Sequence, residues 1–246
     1  MATAFVKEQY DLAYDDGVED HWWHLARNRI ILAEIRNFTV ATPEVLDVGC
    51  GRGIAVKYLR EHGIRCEGVE LATARPLSGV ENHVRYGTNA IELPADERAR
   101  YSVITLLDVI EHLPDPASFV AQILEAFPRL SHLIVTVPAR QELWSNFDDY
   151  FGHHRRYNLH MLAGLAKGLD LDVAHLGYFF HGVYLPARLM SALKKPRSTR
   201  IDAPQGWARA LHRLISWAML IDHQAFPAAL PGTSAIACFR MKRLAP

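Results

Sequence analysis

From Pro43 onward the chain alternates short runs of consecutive apolar residues with stretches in which apolar positions recur every three or four residues. Glu44 to Val48, Ile64 to Glu70, His83 to Tyr86, Tyr101 to Asp108 and Ser131 to Val137 are rich in Val, Ile and Leu and stop at turn residues, so they predict strands. Gly53 to His62 and Pro116 to Phe127 carry a helical period between them. Strands that are apolar throughout have no solvated face, and with helices between them they predict a mainly parallel sheet covered on both sides.

Upstream, an acidic and aromatic lead-in with Tyr10, Tyr14, His21, Trp22, Trp23 and His24 runs into a predicted helix from Leu25 to Phe38, with Ile30, Ile31, Ile35 and Phe38 at helical spacing. Downstream, a polar, histidine-rich loop from Pro138 to Tyr157 precedes a helix over Leu159 to Gly168 and a strand over Leu171 to Tyr178. His181 to Leu230 reads as helical, and in Trp207 to Ile221 the residues Trp207, Leu211, Leu214, Ile215 and Ala218 share one face while Arg209, His212, Arg213 and Ser216 share the other. Ser234 to Met241 alternates like a last strand. The organisation predicted is one three-layer α/β domain over 1–246: a helical N-terminal lid (1–40), a ligand-binding core (41–180), a helical insertion that caps and adds core (181–230), and the last strand (231–246).

Composition narrows the partners. Half of the 246 residues are apolar, which excludes a disordered or fibrous chain. Lys plus Arg balances Asp plus Glu at 27 each, so no overall field attracts nucleic acid, and no nucleic-acid partner is expected. Cys50, Cys66 and Cys238 lie far apart with no C-x-x-C pair, which predicts reduced thiols. Met1 to Tyr10 lacks a signal-peptide pattern, so a cytoplasmic protein is expected. His181, Pro186 and Arg188 interrupt the most apolar window, Leu176 to Leu193, which argues against a membrane span but leaves peripheral membrane contact open.

The sharpest local signal is Val45-Leu46-Asp47-Val48-Gly49-Cys50-Gly51-Arg52-Gly53, a strand ending in three alternate glycines that lead into a helix. Such glycines permit positive φ and let a ligand approach bare backbone. Ile54 stands where a dinucleotide fingerprint needs its third glycine, and Asp47 precedes the turn. A pyrophosphate disfavours that carboxylate, whereas the ammonium of an amino-acid moiety suits it. Glu70 closes the next strand about 20 residues on, the spacing at which an acid accepts ribose hydroxyls. Together these residues predict a nucleoside site.

The segments Leu46 to Gly53, Gly68-Val69-Glu70 and Leu107-Asp108-Val109-Ile110-Glu111-His112-Leu113-Pro114-Asp115-Pro116 resemble the class I S-adenosylmethionine-dependent methyltransferases. Trp144 to Tyr157, His21-Trp22-Trp23, Arg27 and Pro231-Gly232-Thr233-Ser234 resemble one bacterial branch of them, whose members act on small molecules or glycolipids. The resemblance implies a seven-stranded Rossmann-like sheet whose last strand is antiparallel. It implies S-adenosylmethionine as cofactor and S-adenosylhomocysteine as product, with methyl transfer to oxygen, nitrogen or carbon of a small-molecule or lipid-linked acceptor. It further implies that Gly49, Cys50 and Gly51 face the methionine part, Asp47 its ammonium side, Arg27 its carboxylate and Glu70 the ribose. Leu71, Asn89, Ala90 and Leu107 complete the implied cofactor set, with Leu71 beside the adenine; Asn89 either meets the exocyclic amine or stabilises its own turn.

A sulfonium methyl is already activated, so positioning supplies most of the acceleration. An acceptor hydroxyl or protonated nitrogen must also lose a proton, and His153 and His154, at the carboxyl edge of the sheet, are the candidate bases. Adjacent side chains point apart, so one of the two faces the acceptor; holding the loop by hydrogen bonds is the other role open to both. His112 is expected to pack beneath the adenine. Trp22, Trp144, Arg155 and Tyr157 are the candidate acceptor-binding residues. Arg155, Arg156 and Arg140 offer forks to an anionic acceptor, with Asp148 or Asp149 as the internal partner of at least one.

Tyr10, Tyr14, Trp22 and Trp23 form either a lid and aromatic wall or the packing of the lead-in helix. The insertion caps the acceptor, makes a homodimer surface, or lies against a membrane with Lys194, Lys195, Arg197 and Arg200, so monomer and homodimer both stay open. No metal site is expected, because no H-E-x-x-H helix or carboxylate triad accompanies the histidines. The competing readings are a nicotinamide-dependent oxidoreductase, disfavoured by Ile54 and by the lack of an evident Tyr-x-x-x-Lys pair, and a nucleoside-binding module without turnover.

Overall fold

The computed structural model describes residues 16–38 and 42–242; Tyr10 and Tyr14 lie outside the described residues. Seven strands, β1 (Glu44–Val48), β2 (Arg65–Glu70), β3 (Val84–Tyr86), β4 (Val103–Leu107), β5 (His132–Pro138), β6 (Leu171–Phe179) and β7 (Ser234–Met241), form one sheet in the order β3-β2-β1-β4-β5-β7-β6. β1 to β5 pair in parallel, and β7 runs antiparallel to both β5 and β6. The expected α/β fold, with its antiparallel last strand and a helical insertion before it, is the one observed.

Among the described residues the longer helices are α1 (Trp22–Asn37), α2 (Ile54–Glu61), α3 (Pro116–Ala126), α4 (Leu159–Gly168), α5 (Tyr184–Ala192) and α6 (Trp207–Ala225). Alternate side chains of each strand go to opposite faces. Val45, Val103, Ile134 and Ile236 pack with Ile30, Ile31 and Ile35 of α1 and Val56 and Leu59 of α2. Leu46, Ile104, Leu133 and Phe239 pack with Val120 and Ile123 of α3 and Leu162 and Ala166 of α4. Starts of helices follow local rules: Asp115 caps α3 by accepting from the Ser118 N–H at 3.1 Å, and Pro116 fills the first position, where no donor is needed.

The inserted helix α6 corrects the expectation drawn from its pattern. Trp207, Leu211 and Leu214 do not join the core; they are 80%, 42% and 66% exposed, while Ser216 on the polar face is fully buried. Arg209 and Arg213 stay exposed, but the side that carries His212, Ser216 and Asp222 turns inward because it satisfies backbone and side-chain donors that the fold leaves there. His212 Nδ1 accepts from the Trp22 N–H at 3.1 Å, Ser216 Oγ accepts from Arg29 Nε at 3.1 Å, and Asp222 accepts from the N–H groups of His181 and Gly182 at 2.9 and 3.0 Å. Hydrogen-bond demand outweighs hydrophobic pattern here.

Candidate active site

A cavity of about 970 Å³ opens at the carboxyl ends of β1, β4 and β5, beside the switch point where the sheet order departs from β1 in both directions. Its floor is the glycine loop. Gly49, Gly51 and Gly53 all have positive φ, and a Cβ on Gly49 would lie 2.7 Å from Val109 Cγ2, so the loop passes where no side chain fits. Glu70 ties the loop to β2: its Oε2 accepts from the Gly51 N–H and its Oε1 from the Ala72 N–H, both at 3.0 Å.

Asp47 and Arg27 stand beside this floor. Asp47 is buried and accepts from the Thr105 hydroxyl at 2.7 Å; burial pushes its carboxyl up to about 6 against that hydrogen bond. Arg27 pairs with Asp108 and lies over the Trp23 ring, while its buried Nε has no hydrogen-bond partner among the described residues. A donor left in this way at a cavity wall matches a ligand carboxylate.

The far half of the cavity is built by the segment after β5. Asp148 is fully buried and accepts from His153 Nδ1 at 2.9 Å and from Arg156 Nε and Nη2 at 2.7 and 3.1 Å. Burial raises the Asp148 carboxyl, but the hydrogen bonds of His153 and Arg156 overcome it and hold it down to about 2. With Nδ1–H committed to Asp148, the lone pair of His153 resides on Nε2. The His153 ring meets His112 edge-on at 4.7 Å, and burial, with the neighbouring His153, pushes His112 down to about 3. Beneath both, Glu111 is fully buried with neither carboxyl oxygen hydrogen-bonded, and burial raises it well above its ordinary value. One ligand atom from each of Glu111, His112 and His153 falls within 4.8 Å of the others, an arrangement able to hold a divalent cation. No metal site is expected from the sequence, because no H-E-x-x-H helix or carboxylate triad accompanies the histidines; the fold brings Glu111 and His112 to His153 from a distant part of the chain.

The cavity is lined by Trp22, Arg27, Asp47, Gly49, Cys50, Gly51, Leu107 and His153 among the sequence candidates. The remaining candidates lie elsewhere. His154 is exposed, and its backbone N–H donates to the Glu111 carbonyl at 2.8 Å. Arg155 donates to the Pro114 carbonyl at 2.7 Å, Trp144 Nε1 to Asp149 at 2.9 Å, and the buried Tyr157 hydroxyl to the Ile110 carbonyl at 3.1 Å, so these three brace the loop rather than line the cavity. Asn89 caps its own turn by accepting from the Ile91 N–H at 3.4 Å, Ala90 is core, and Leu71 is 41% exposed next to Glu70. Glu70 does not line the cavity but sits directly behind Gly51.

Cavity residues that the sequence reading left without a ligand role include Asp108, Glu111, Ser145, Phe147, Thr233 and Ser234. The local signal for these was the quoted segments that contain them, Leu107 to Pro116, Trp144 to Tyr157 and Pro231 to Ser234.

Comparison with known proteins agrees with this geometry. Residues 22–176 match the methyltransferase-domain family. The chain belongs to that family. Its membership places it among the S-adenosylmethionine-dependent methyltransferases of class I and displaces the nicotinamide reading. It is 39% identical over 85 residues to a ubiquinone biosynthesis O-methyltransferase of Leptothrix cholodnii, covering 31% of this chain and 36% of that protein. It is 30% identical over 133 residues to the protein of the same description from Pseudoalteromonas translucida, covering 47% and 56%. The chain thus spans about a third to a half of the length of these curated relatives. Magnesium protoporphyrin IX methyltransferase of Synechocystis PCC 6803, solved with bound S-adenosylhomocysteine, shares the fold at TM-score 0.51 and 14% identity, over 96% of this chain and 92% of that one.

Glu70 sits behind the cavity floor and fixes it through the Gly51 and Ala72 N–H groups, so its removal is expected to loosen the loop against which the ligand would rest. Glu70→Ala is expected to weaken S-adenosylhomocysteine binding by about 1–3 kcal/mol in calorimetric titration; an unchanged affinity would remove Glu70 from that role. Asp47 sets the pH response. Its folded value lies above the ordinary carboxylate value, so stability falls as pH rises from 3.8 to about 6 and stays lower beyond, and a cationic ligand group recovers part of that cost by binding the ionised form. Affinity should therefore fall about tenfold between pH 7 and pH 5, and Asp47→Asn should flatten the profile; a flat profile in the unaltered protein counts against the assignment.

Proposed function

We propose that this chain transfers the methyl group of S-adenosylmethionine to a nucleophilic atom of a small-molecule or lipid-linked acceptor, using His153 as the base. The observation that carries the reading is the single cavity that joins Asp47, Gly49 and Gly51 at one end to His153, Arg156 and the inserted helices at the other. The residues fit an S-adenosyl group: a bare-backbone loop at Gly49 and Gly51 lining the cavity, a buried carboxylate at Asp47 for an ammonium, and the unpartnered Arg27 Nε for a carboxylate. When bound, S-adenosylmethionine supplies an activated methyl and leaves as S-adenosylhomocysteine.

The protein's own part is to orient and to accept a proton. Asp148 fixes the His153 ring, whose Nε2 takes the acceptor's proton as the acceptor's lone pair forms its bond to the methyl carbon. Trp22, Phe147, Phe151 and Met190 wall the cavity and keep water from competing. Lys195, Arg197 and Arg200 on the same wall favour an acceptor that carries an anionic group. The division into lid, core and cap, and action in the cytoplasm, belong to this proposal; three buried free thiols support the location, and no helix among the described residues is long and apolar enough to cross a membrane.

Titration of the purified protein with S-adenosylhomocysteine and NADH tests the cofactor half: binding of the first at about micromolar strength and none of the second is expected, and binding of NADH alone would overturn it. The unbonded oxygens of Glu111 favour a second reading in which Glu111, His112 and His153 hold a divalent cation that orients an acceptor oxygen. Loss of turnover on chelation, restored by magnesium or manganese, selects the cation; turnover indifferent to chelator selects the base.

A further inference from the structure

The insertion presents an apolar surface that the reaction does not use. Of the fifteen large hydrophobic residues exposed among the described residues, eleven lie between Leu185 and Leu230. Leu185 and Leu189 of α5 and Leu193 at its C-terminal end repeat every four residues and are 74%, 60% and 57% exposed. On α6, Trp207, Leu214 and Ile221 repeat every seven and are 80%, 66% and 61% exposed. The opposite sides of both helices, Pro186 and Ala187 of α5 and Ala208 and His212 of α6, line the active-site cavity. Each helix thus separates the cavity from an apolar outer face. Proteins rarely expose this many large apolar side chains in one short segment without a partner.

Charge identifies the partner. The chain as a whole is neutral, yet residues 181–230 carry seven Lys and Arg against two Asp. Asp222 is committed to the backbone of His181 and Gly182, Asp202 faces Arg200 at 2.9 Å, and Asp20 faces Arg209 and Arg213 at 3.6 and 3.5 Å, so the excess rests on Arg188, Lys194, Lys195 and Arg197, which make no ion pair among the described residues. Arg188, Lys194 and Lys195 are exposed beside the α5 face. A second copy docking through the same face would set this excess of positive charge against itself. Lipid headgroups supply phosphate instead, and Trp207 and Trp217, each at least half exposed, are the side chains that settle at a bilayer interface.

We propose that the outer faces of α5 and α6 dock on an anionic phospholipid bilayer, so that a lipid-borne acceptor enters the cavity beneath them past Lys195 and Arg200. The entry of the acceptor rests on the reaction proposed above; the docking does not.

The test is co-sedimentation of the full chain with vesicles of phosphatidylcholine alone and of phosphatidylcholine with a quarter phosphatidylglycerol. The protein is expected to pellet with the anionic vesicles and to bind the neutral ones at least about tenfold more weakly. Leu189→Glu/Leu214→Glu should reduce pelleting at least about tenfold, and Arg188→Glu/Lys194→Glu should abolish the preference for phosphatidylglycerol. Both should leave S-adenosylhomocysteine affinity and melting unchanged, since none of the four residues lines the cavity. A protein that stays in the supernatant with both vesicle types overturns the proposal. So does a dimer in light scattering that Leu189→Glu/Leu214→Glu makes monomeric without any vesicle binding. Vesicle binding is read without cofactor or acceptor, so a chain that pellets but transfers no methyl sinks the reaction and keeps the docking.

Discussion

Replacing His153 by alanine is expected to lower kcat by about 10²- to 10⁴-fold, the usual range for loss of a positioned acid or base. His153 is the member of the histidine pair that reaches the cavity, and its Nδ1 is held by a buried carboxylate at 2.9 Å, so Nε2 is presented in one tautomer and one orientation. The glycine loop and Arg27 are untouched, so S-adenosylhomocysteine should bind as before in a parallel titration. His154→Ala supplies the contrast: an exposed side chain outside the cavity should leave turnover within about twofold, because surface changes away from such features are small. Equal losses in the two variants would assign the histidines to the loop's stability and not to chemistry.

Asp148→Ala carries the largest expected change in stability. The carboxylate neutralises Arg156, which is 4% exposed, and it also caps the short helix Asn146–Tyr150 by accepting from the Ser145 N–H at 2.9 Å. Its removal leaves a guanidinium buried without its counter-charge, a change worth about 3–5 kcal/mol. Urea denaturation of the two proteins measures it, and a loss below about 1 kcal/mol would mean that solvent reaches Arg156. The pH dependence has a definite sign. Because the folded carboxyl is held down to about 2, below its ordinary 3.8, its contribution is complete above the ordinary value and is lost as pH falls through about 2. Turnover should fall along with stability, since His153 loses the group that orients it.

Much of the scaffold was legible because it is written locally. Each strand is a run of three to nine residues with its own turn signal, and the glycine loop carries its backbone requirement in three alternate positions. Asp47, Gly49, Gly51 and Arg27 meet at one cavity because strand ends in a doubly wound sheet converge there. What the sequence concealed depends on partners far along the chain. The pairing of Arg156 with Asp148 is expected, but that His153 shares the same carboxylate shows only in the fold, and Tyr157 looks like an acceptor contact until its hydroxyl is seen on the Ile110 carbonyl. Helix α6 misled through its own amphipathy. Ser216, His212 and Asp222 were needed inside by donors on α1 and after β6, and no pattern within α6 records that demand.

The place of β7 in the sheet governs how the protein is made. Although it follows every other strand in the sequence, β7 lies between β5 and β6 and pairs with both through its whole length. Until residues 234–241 have been synthesised, β5 has one open edge and β6 has no neighbour, so two rows of unpaired backbone groups wait for the same strand. A nascent chain interrupted anywhere in the insertion therefore displays edges of the kind that recruit other chains. Closure of the sheet becomes a late, long-range step, which topology makes slow, and the interval before it is when this chain depends most on being kept apart from its neighbours.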